Sequence, residues 1–422
     1  MKHAVFSCSK KALPVALALV LSSGLAQAGG TDEEGFHGYL RAGVGSSSTK
    51  GPQSCFSLGG NTMSYRLGNE CDSYTELGYT KELAKSDNGV SFVGTAWINA
   101  YKGDSDFSGT KPELIKAYVE AKGLDFMNGG VIWVGKRDYF RPDIHMLDLQ
   151  YINMNGTGGG FNQIKAGPGK FSYALFKDND KNQLNAAGKV INTTAALRQN
   201  VMYEGLPVND NGALDFAATV ISAQGEGKKN GWQLSVFHKQ DKVFGGGNTF
   251  GVQYGVGPGT GVGGPCCDRM GSSGSTDLGS DVTRMRIFND LVIQPTREFS
   301  MELIALMQRD KSNANGTSTW TTLGARPVYA LSKNFKLQAE VGTSRVTVPN
   351  GGEALQLTKI TFAPTITLGE GYWSRPELRA YITHGKWNDA AINAVNASNN
   401  SGPVYGNNTS GTSVGVHLEA WW

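Results

Sequence analysis

Apolar and polar side chains trade places at every second position in short runs along this chain, and the runs continue to its final residue. In 36–44, His37, Tyr39, Arg41 and Gly43 share one parity, while Phe36, Leu40, Ala42 and Val44 share the other. A two-residue period belongs to an extended strand whose two faces meet different surroundings. In 74–83, Tyr74, Glu76, Gly78, Thr80 and Glu82 oppose Thr75, Leu77, Tyr79 and Leu83. The chain ends in the same way, with Ser413, Gly415, His417, Glu419 and Trp421 against Val414, Val416, Leu418, Ala420 and Trp422. Similar alternation runs through 285–293, 301–309, 335–341 and 375–383, where Arg375, Glu377, Arg379 and Tyr381 form the polar parity of the last.

The opening residues obey another rule. Lys2, Lys10 and Lys11 precede an apolar run over 12–25, and Ala26-Gln27-Ala28 has the small-x-small form of a cleavage site. Residues 1–28 are therefore expected to be a signal peptide, and 29–422 the mature domain. The segment removes three lysines and no acid, so 39 Lys+Arg become 36 against 36 Asp+Glu. A neutral mature chain without a basic block offers nucleic acid no electrostatic footprint. No later apolar run approaches the roughly 18 residues of a membrane helix. An exported chain with 57 glycines, 10% aromatics and two-residue alternation is expected to form a transmembrane antiparallel β-barrel, in which lipid meets every second side chain. At roughly 22 residues for each strand and its share of connections, about 18 strands result, and barrels of that size keep an aqueous lumen. No linker or second domain interrupts this single porin-like unit.

Residues 135–160 fit the alternation least well. Lys136, Arg137, Asp138, Arg141, Asp143, His145 and Asp148 crowd together with Tyr139, Phe140 and Tyr151, a mixture suited to a long loop folded into a wet cavity. The run Gly156-Thr157-Gly158-Gly159-Gly160 lacks the Lys-Ser/Thr ending of a phosphate cradle and reads as a turn returning that loop to the wall. Polar or Gly-rich stretches at 179–192, 255–280, 310–318 and 388–412 read as external loops. Cys55 and Cys71 flank a turn and read as a loop-stapling disulfide. For the adjacent Cys266 and Cys267, a vicinal disulfide, pairing with other chains and free thiols all stay open.

The scattered His37, His145, His238, His384 and His417 form no zincin pair and accompany no local Ser or Cys motif, so neither an enzyme nor a cofactor site is expected. Aromatics on the charged parity say more. Tyr39, Tyr74, Trp373 and Trp421 share faces with ions, giving the lumen flat apolar surfaces beside hydrogen-bonding groups. A sugar uses both, packing its C–H face on a ring and exchanging hydroxyl hydration for charge-assisted partners. The alternative is a general diffusion porin for small polar or ionic solutes, with the tryptophans as interfacial belt residues.

Five ordered blocks carry a family resemblance: FHGYLRAGVG at 36–45, YRLGNECDSYTEL at 65–77, GKRDYFRPDIHMLDL at 135–149, YWSRPELR at 372–379, and the closing EAWW. Together they resemble the maltoporin family of sugar-specific channels in the outer membrane of Gram-negative bacteria. The resemblance implies an 18-stranded barrel in outer-membrane lipid, a homotrimer, an inward-folded third loop as constriction, and passive diffusion of maltodextrin-like oligosaccharides. By motif, it implies an aromatic slide of Tyr39, Tyr74, Trp373 and Trp421. Phe107 would reach a neighbouring subunit, and Phe244 is a further candidate ring. The implied ionic track and constriction comprise Arg41, Arg66, Glu76, Arg141, Asp143, Asp148 and Gln150, and the family disulfide falls on Cys55 and Cys71. Three positions depart from the pattern: Ile115, beside Lys116, replaces a track arginine, Gln150 replaces the tyrosine that narrows the pore, and Asn153 replaces an aspartate. Tyr151 compensates for Gln150 only if the loop turns by one residue.

Overall fold

The computed structural model describes residues 32–422 apart from 60–61, 105, 179–181, 185, 189, 194, 265–267 and 398–401. Residues 1–28 and the Cys266–Cys267 pair lie outside the described residues. Eighteen antiparallel strands form one sheet. In chain order they are β1 (Gly35–Ser47), β2 (Ser73–Lys85), β3 (Ser91–Lys102), β4 (Glu113–Lys122), β5 (Val131–Arg137) and β6 (Gly156–Ala166). Next come β7 (Gly169–Asp178), β8 (Ala196–Asn209), β9 (Gly212–Ala223), β10 (Gly231–Val243), β11 (Gly246–Val256) and β12 (Thr283–Ile293). The last six are β13 (Phe299–Ser312), β14 (Gly316–Ser332), β15 (Phe335–Thr347), β16 (Leu355–Thr367), β17 (Glu377–Trp387) and β18 (Ser410–Trp421).

Each strand pairs with its sequence neighbour, and β1 also pairs with β18 from Tyr39↔Trp421 to Ser47↔Ser413. That seam closes the sheet and leaves no edge with unpaired backbone groups, the condition for a sheet to cross hydrocarbon. Parity sets the two faces as the alternation predicts. Val416 is 54% exposed on the outside while Glu419 is fully buried within, and Leu77 and Tyr79 face outward where Glu76 and Thr80 face inward.

The inside is partly filled rather than open. Loop 138–155 leaves β5, turns through a short pairing of Asp143 with Gln150 and Ile144 with Leu149, and returns to β6. Its back carries Phe140, Ile144, Met146, Leu147, Leu149, Tyr151, Ile152 and Met154, all buried in one cluster with Trp133, Phe176, Phe237, Phe288, Ile304, Leu306 and Trp320 of the wall. Tyr151 packs 4.7 Å from Phe288 and 5.1 Å from Phe237, centroid to centroid. It faces the back, so it does not compensate for Gln150.

Several expectations are corrected. The glycine run 156–160 is wall strand, not turn: Gly156, Gly158 and Gly160 pair across from Arg137, Gly135 and Trp133. A Cβ on Gly158 would lie 1.9 Å from the Leu175 carbonyl oxygen, and one on Gly156 would lie 2.8 Å from the Phe176 ring. Side-chain-free positions leave room there for the Phe176 ring, the Arg198 guanidinium and the neighbouring backbone of β7. The stretch 310–318 is mostly strand, leaving 313–315 as the turn. The described residues of loop 257–282 fold into the barrel, with Gly257, Pro258, Gly259 and Thr260 all buried and the Met270 carbonyl accepting from Asn153 N. Within 388–412, a short helix spans Ile392–Ala397 and packs Val395 against Phe56 and Trp387 in a separate cluster.

Candidate functional site

Cross-strand pairing assembles the first part of the site. Tyr39 lies opposite Glu76 on β2 and Trp421 on β18, and Arg41 lies opposite Tyr74 and Glu419. Residues directly opposite share a face, so a ring-bearing position and an ion-bearing position alternate along one inner surface. The Tyr39 and Tyr74 rings are 5.9 Å apart, and Tyr101 of β3, opposite Tyr74, adds a third ring at 6.4 Å. Tyr101 is more than half exposed and escaped the sequence reading. The alternation of 93–101, inward at Val93, Thr95, Trp97 and Asn99, is the signal that finds it.

Trp373 arrives by another route. It belongs to the turn 368–376, not to a strand face as the alternation implied, because β17 begins only at Glu377. Tyr372 anchors this turn from inside, its hydroxyl donating to Glu302 and its ring meeting Trp373 at 4.9 Å. His145 of loop 138–155 stands edge-on to both tryptophans, 5.3 Å from Trp373 and 6.1 Å from Trp421. Arg375 lies 4.4 Å over the Trp421 ring. The aromatic row therefore runs from Tyr101 through Tyr74 and Tyr39 to Trp421 and Trp373.

Carboxylates tie the row to the loop. Glu419, fully buried, accepts from Tyr39 Oη at 3.1 Å, Arg66 at 2.9 Å, Arg375 at 2.9 Å and Arg379 at 2.6 Å, and faces His145 Nε2 at 3.1 Å. Arg41 is held by Asp72, by Glu70 at 3.1 Å and by Asp148 at 3.0 Å. Arg66 bonds Glu70 and also donates to Tyr39 Oη at 2.9 Å. Tyr74 donates to Glu76. Buried charges of this kind persist only when paired, and these are. Glu70, Asp72 and Glu419 were not singled out in the sequence, although Glu419 sits on the polar parity. A cavity of about 220 Å³ between loops 48–72 and 138–155 is lined by Arg41, Arg66, Glu70, Asp72, Tyr101 and Asp148.

The front of loop 138–155 completes the enclosure. Asp148 adopts a left-handed conformation (φ +51°) after the short turn 145–147, which Asp tolerates better than most residues. Burial would raise its pKa, but Arg66 and Arg41 outweigh that and hold it below the usual range. Asp143 goes the other way: burial dominates His145 and keeps it above. Burial also opposes ionisation of Glu70, yet Arg66 and Arg41 pull it down to about 2. Arg141 is partly exposed with Asp138 at 3.7 Å. Gln150 turns sideways, its Oε1 accepting from Asn153 Nδ2 at 2.9 Å and from Arg269 of loop 257–282.

Three sequence candidates stand apart from this group. Phe107 lies out on loop 103–112. Phe244 occupies the β10–β11 turn, 73% exposed, and makes no ring contact among the described residues. Ile115 is the bulged residue of β4, where pairing slips between Trp97↔Lys116 and Ile98↔Leu114. Lys116 instead points inward, 2.9 Å from Asp32 and 4.2 Å over Trp97. Cys55 and Cys71 form a disulfide that closes loop 48–72.

Among solved structures, the chain is similar to OccAB1 of Acinetobacter baumannii, at 13% identity and TM-score 0.48 over 94% of this chain and 98% of that one. It is also similar to an anion-selective porin from Comamonas acidovorans, at 12% identity and TM-score 0.43 over 92% and 99%. A trimer form of OmpT, an outer membrane protein of Vibrio cholerae, matches at 11% identity and TM-score 0.38 over 92% and 98%. Residues 35–422 match the family model described as LamB porin.

Proposed function

The chain belongs to the LamB porin family, outer-membrane channels of Gram-negative bacteria and not enzymes, and from that premise we propose that it conducts oligosaccharides by facilitated passive diffusion. The observation that carries the proposal is the aromatic row Tyr101–Tyr74–Tyr39–Trp421–Trp373 lying across from the ionic front of loop 138–155. A pyranose that stacks on one ring finds the next within a few ångströms, so contacts break and reform without a deep trap. Arg41, Arg66 and Asp148 supply charge-assisted partners for hydroxyls, and Glu76, Arg141 and Asp143 extend that track. Phe107 would extend the row from a neighbouring copy in a homotrimer, and residues 1–28 would be removed on export.

Conductance of the purified protein in planar bilayers tests this reading. Millimolar maltodextrin should block ion current reversibly. Ion current that no maltodextrin, sucrose or aryl glucoside reduces would reject it in favour of general diffusion.

A further inference from the structure

We propose that Arg269, carried by loop 257–282, is a specificity-determining residue of the constriction, and that it favours saccharides bearing a carboxylate over neutral ones of equal size. The proposal rests on the saccharide-channel reading above and adds a substrate class to it.

Loop 257–282 is built to hold this side chain in place. On one side of Arg269, the Thr260 and Asp268 carbonyls accept from Arg284. On the other, the Met270 carbonyl accepts from Asn153 N at 2.7 Å, and the Gly271 carbonyl accepts from Arg198 at 3.0 Å. Both flanks are thus fastened, one to the wall and one to loop 138–155 itself. Arg269 Nη1 donates to Gln150 Oε1, so the guanidinium stands against the front of loop 138–155 at Gln150.

Its partners differ from those of the arginines beside the aromatic row. Arg41 touches Glu70, Asp72 and Asp148, and Arg66 touches Glu70 and Glu419. Arg269 has no carboxylate within 4.0 Å among the described residues, although Asp148 and Asp143 attract it at longer range. It is 9% exposed, and its Nε is buried without a hydrogen-bond partner. Burial lowers its pKa to about 10, which leaves it charged at neutral pH. A guanidinium presents five N–H groups in a planar fork, and a neutral amide oxygen engages only a small part of it. A uronate carboxylate can take two parallel charge-assisted bonds from that fork, whereas a hydroxyl takes one weaker bond.

The test titrates current block by maltotriose and by trigalacturonate in the wild type, R269Q and R269K. Wild type should bind trigalacturonate about tenfold more tightly than maltotriose, the scale of one charge-assisted hydrogen bond. R269Q should bring the ratio to near one while leaving maltotriose block within about twofold. R269K keeps the charge without the fork and should give an intermediate ratio. A ratio unaltered in both variants, or no preference in wild type, overturns the proposal. Wild-type current that neither sugar blocks instead removes the channel reading on which it stands.

Discussion

The back of loop 138–155 is sealed against the wall by rings and thioethers, whereas its front meets the aromatic row across ions and amides. The two faces divide the work. Dispersion and burial at the back decide where the loop sits, because close-packed side chains admit few alternatives. Under the proposed function the front decides what passes, and its groups can change without unseating the loop. Gln150 and Asn153 illustrate this, for they bond each other and Gln150 also bonds Arg269, while the neighbouring Leu149, Ile152 and Met154 stay buried.

The sharpest way to break this division is to cut into the back. Phe140→Ala should cost about 3–5 kcal/mol of packing. The loop would then leave its seat, and open-channel ion conductance measured in single-channel records should rise several-fold. Opening the disulfide with Cys55→Ser relaxes loop 48–72, whose Arg66 N donates to Met146 O at 3.1 Å behind the front face. Urea unfolding should show a loss of about 3 kcal/mol for a staple of this length. Removing a ring opposite the front acts on passage alone. Trp373→Ala or Tyr74→Ala should weaken maltodextrin block about tenfold, close to 1.4 kcal/mol, with ion conductance nearly intact.

The gentlest probe is pH. The Asp143 pKa lies above the usual carboxylate range because burial outweighs His145, and Asp148 lies below it. On acidification Asp143 therefore protonates first, and cation preference should fall before Asp148 titrates. Reversal potentials in a salt gradient between neutral pH and pH 4 check this, with a smaller change in Asp143→Asn than in the wild type. A carboxyl that binds its proton more readily when folded makes stability rise, not fall, as pH drops through its folded pKa. Acidification should accordingly cost selectivity without loosening the loop through this residue.

The wall was legible in the sequence and most of its filling was not. Lipid and water impose opposite demands on successive residues, so Phe36, Leu77 and Val416 declare the outside and Arg41, Glu76 and Glu419 the inside. The inward-folded loop 138–155 stood out as well, since charges and rings without a two-residue period have no place in a strand. Loop 257–282 hid because glycines and backbone carbonyls, not apolar side chains, seat it; Gly257 and Gly261 adopt positive φ, and Arg198 and Arg284 bond its carbonyls. The glycines of 156–160 misled for the opposite reason, being small to accommodate the Phe176 ring, Arg198 and the adjacent strand's backbone instead of to turn the chain. Trp373 was found as a residue but placed on the wrong kind of element, because a turn folded inward puts a ring in the lumen as well as a strand can.

Tyr39 and Arg41 are made long before Glu419 and Trp421, yet they meet side by side where β1 joins β18. Until that seam zips, the row is missing a ring and the buried cations of 66, 375 and 379 lack their common carboxylate. Under the proposed function a half-assembled barrel would be leaky and indiscriminate at once, and sugar recognition would double as a certificate that the wall has been completed.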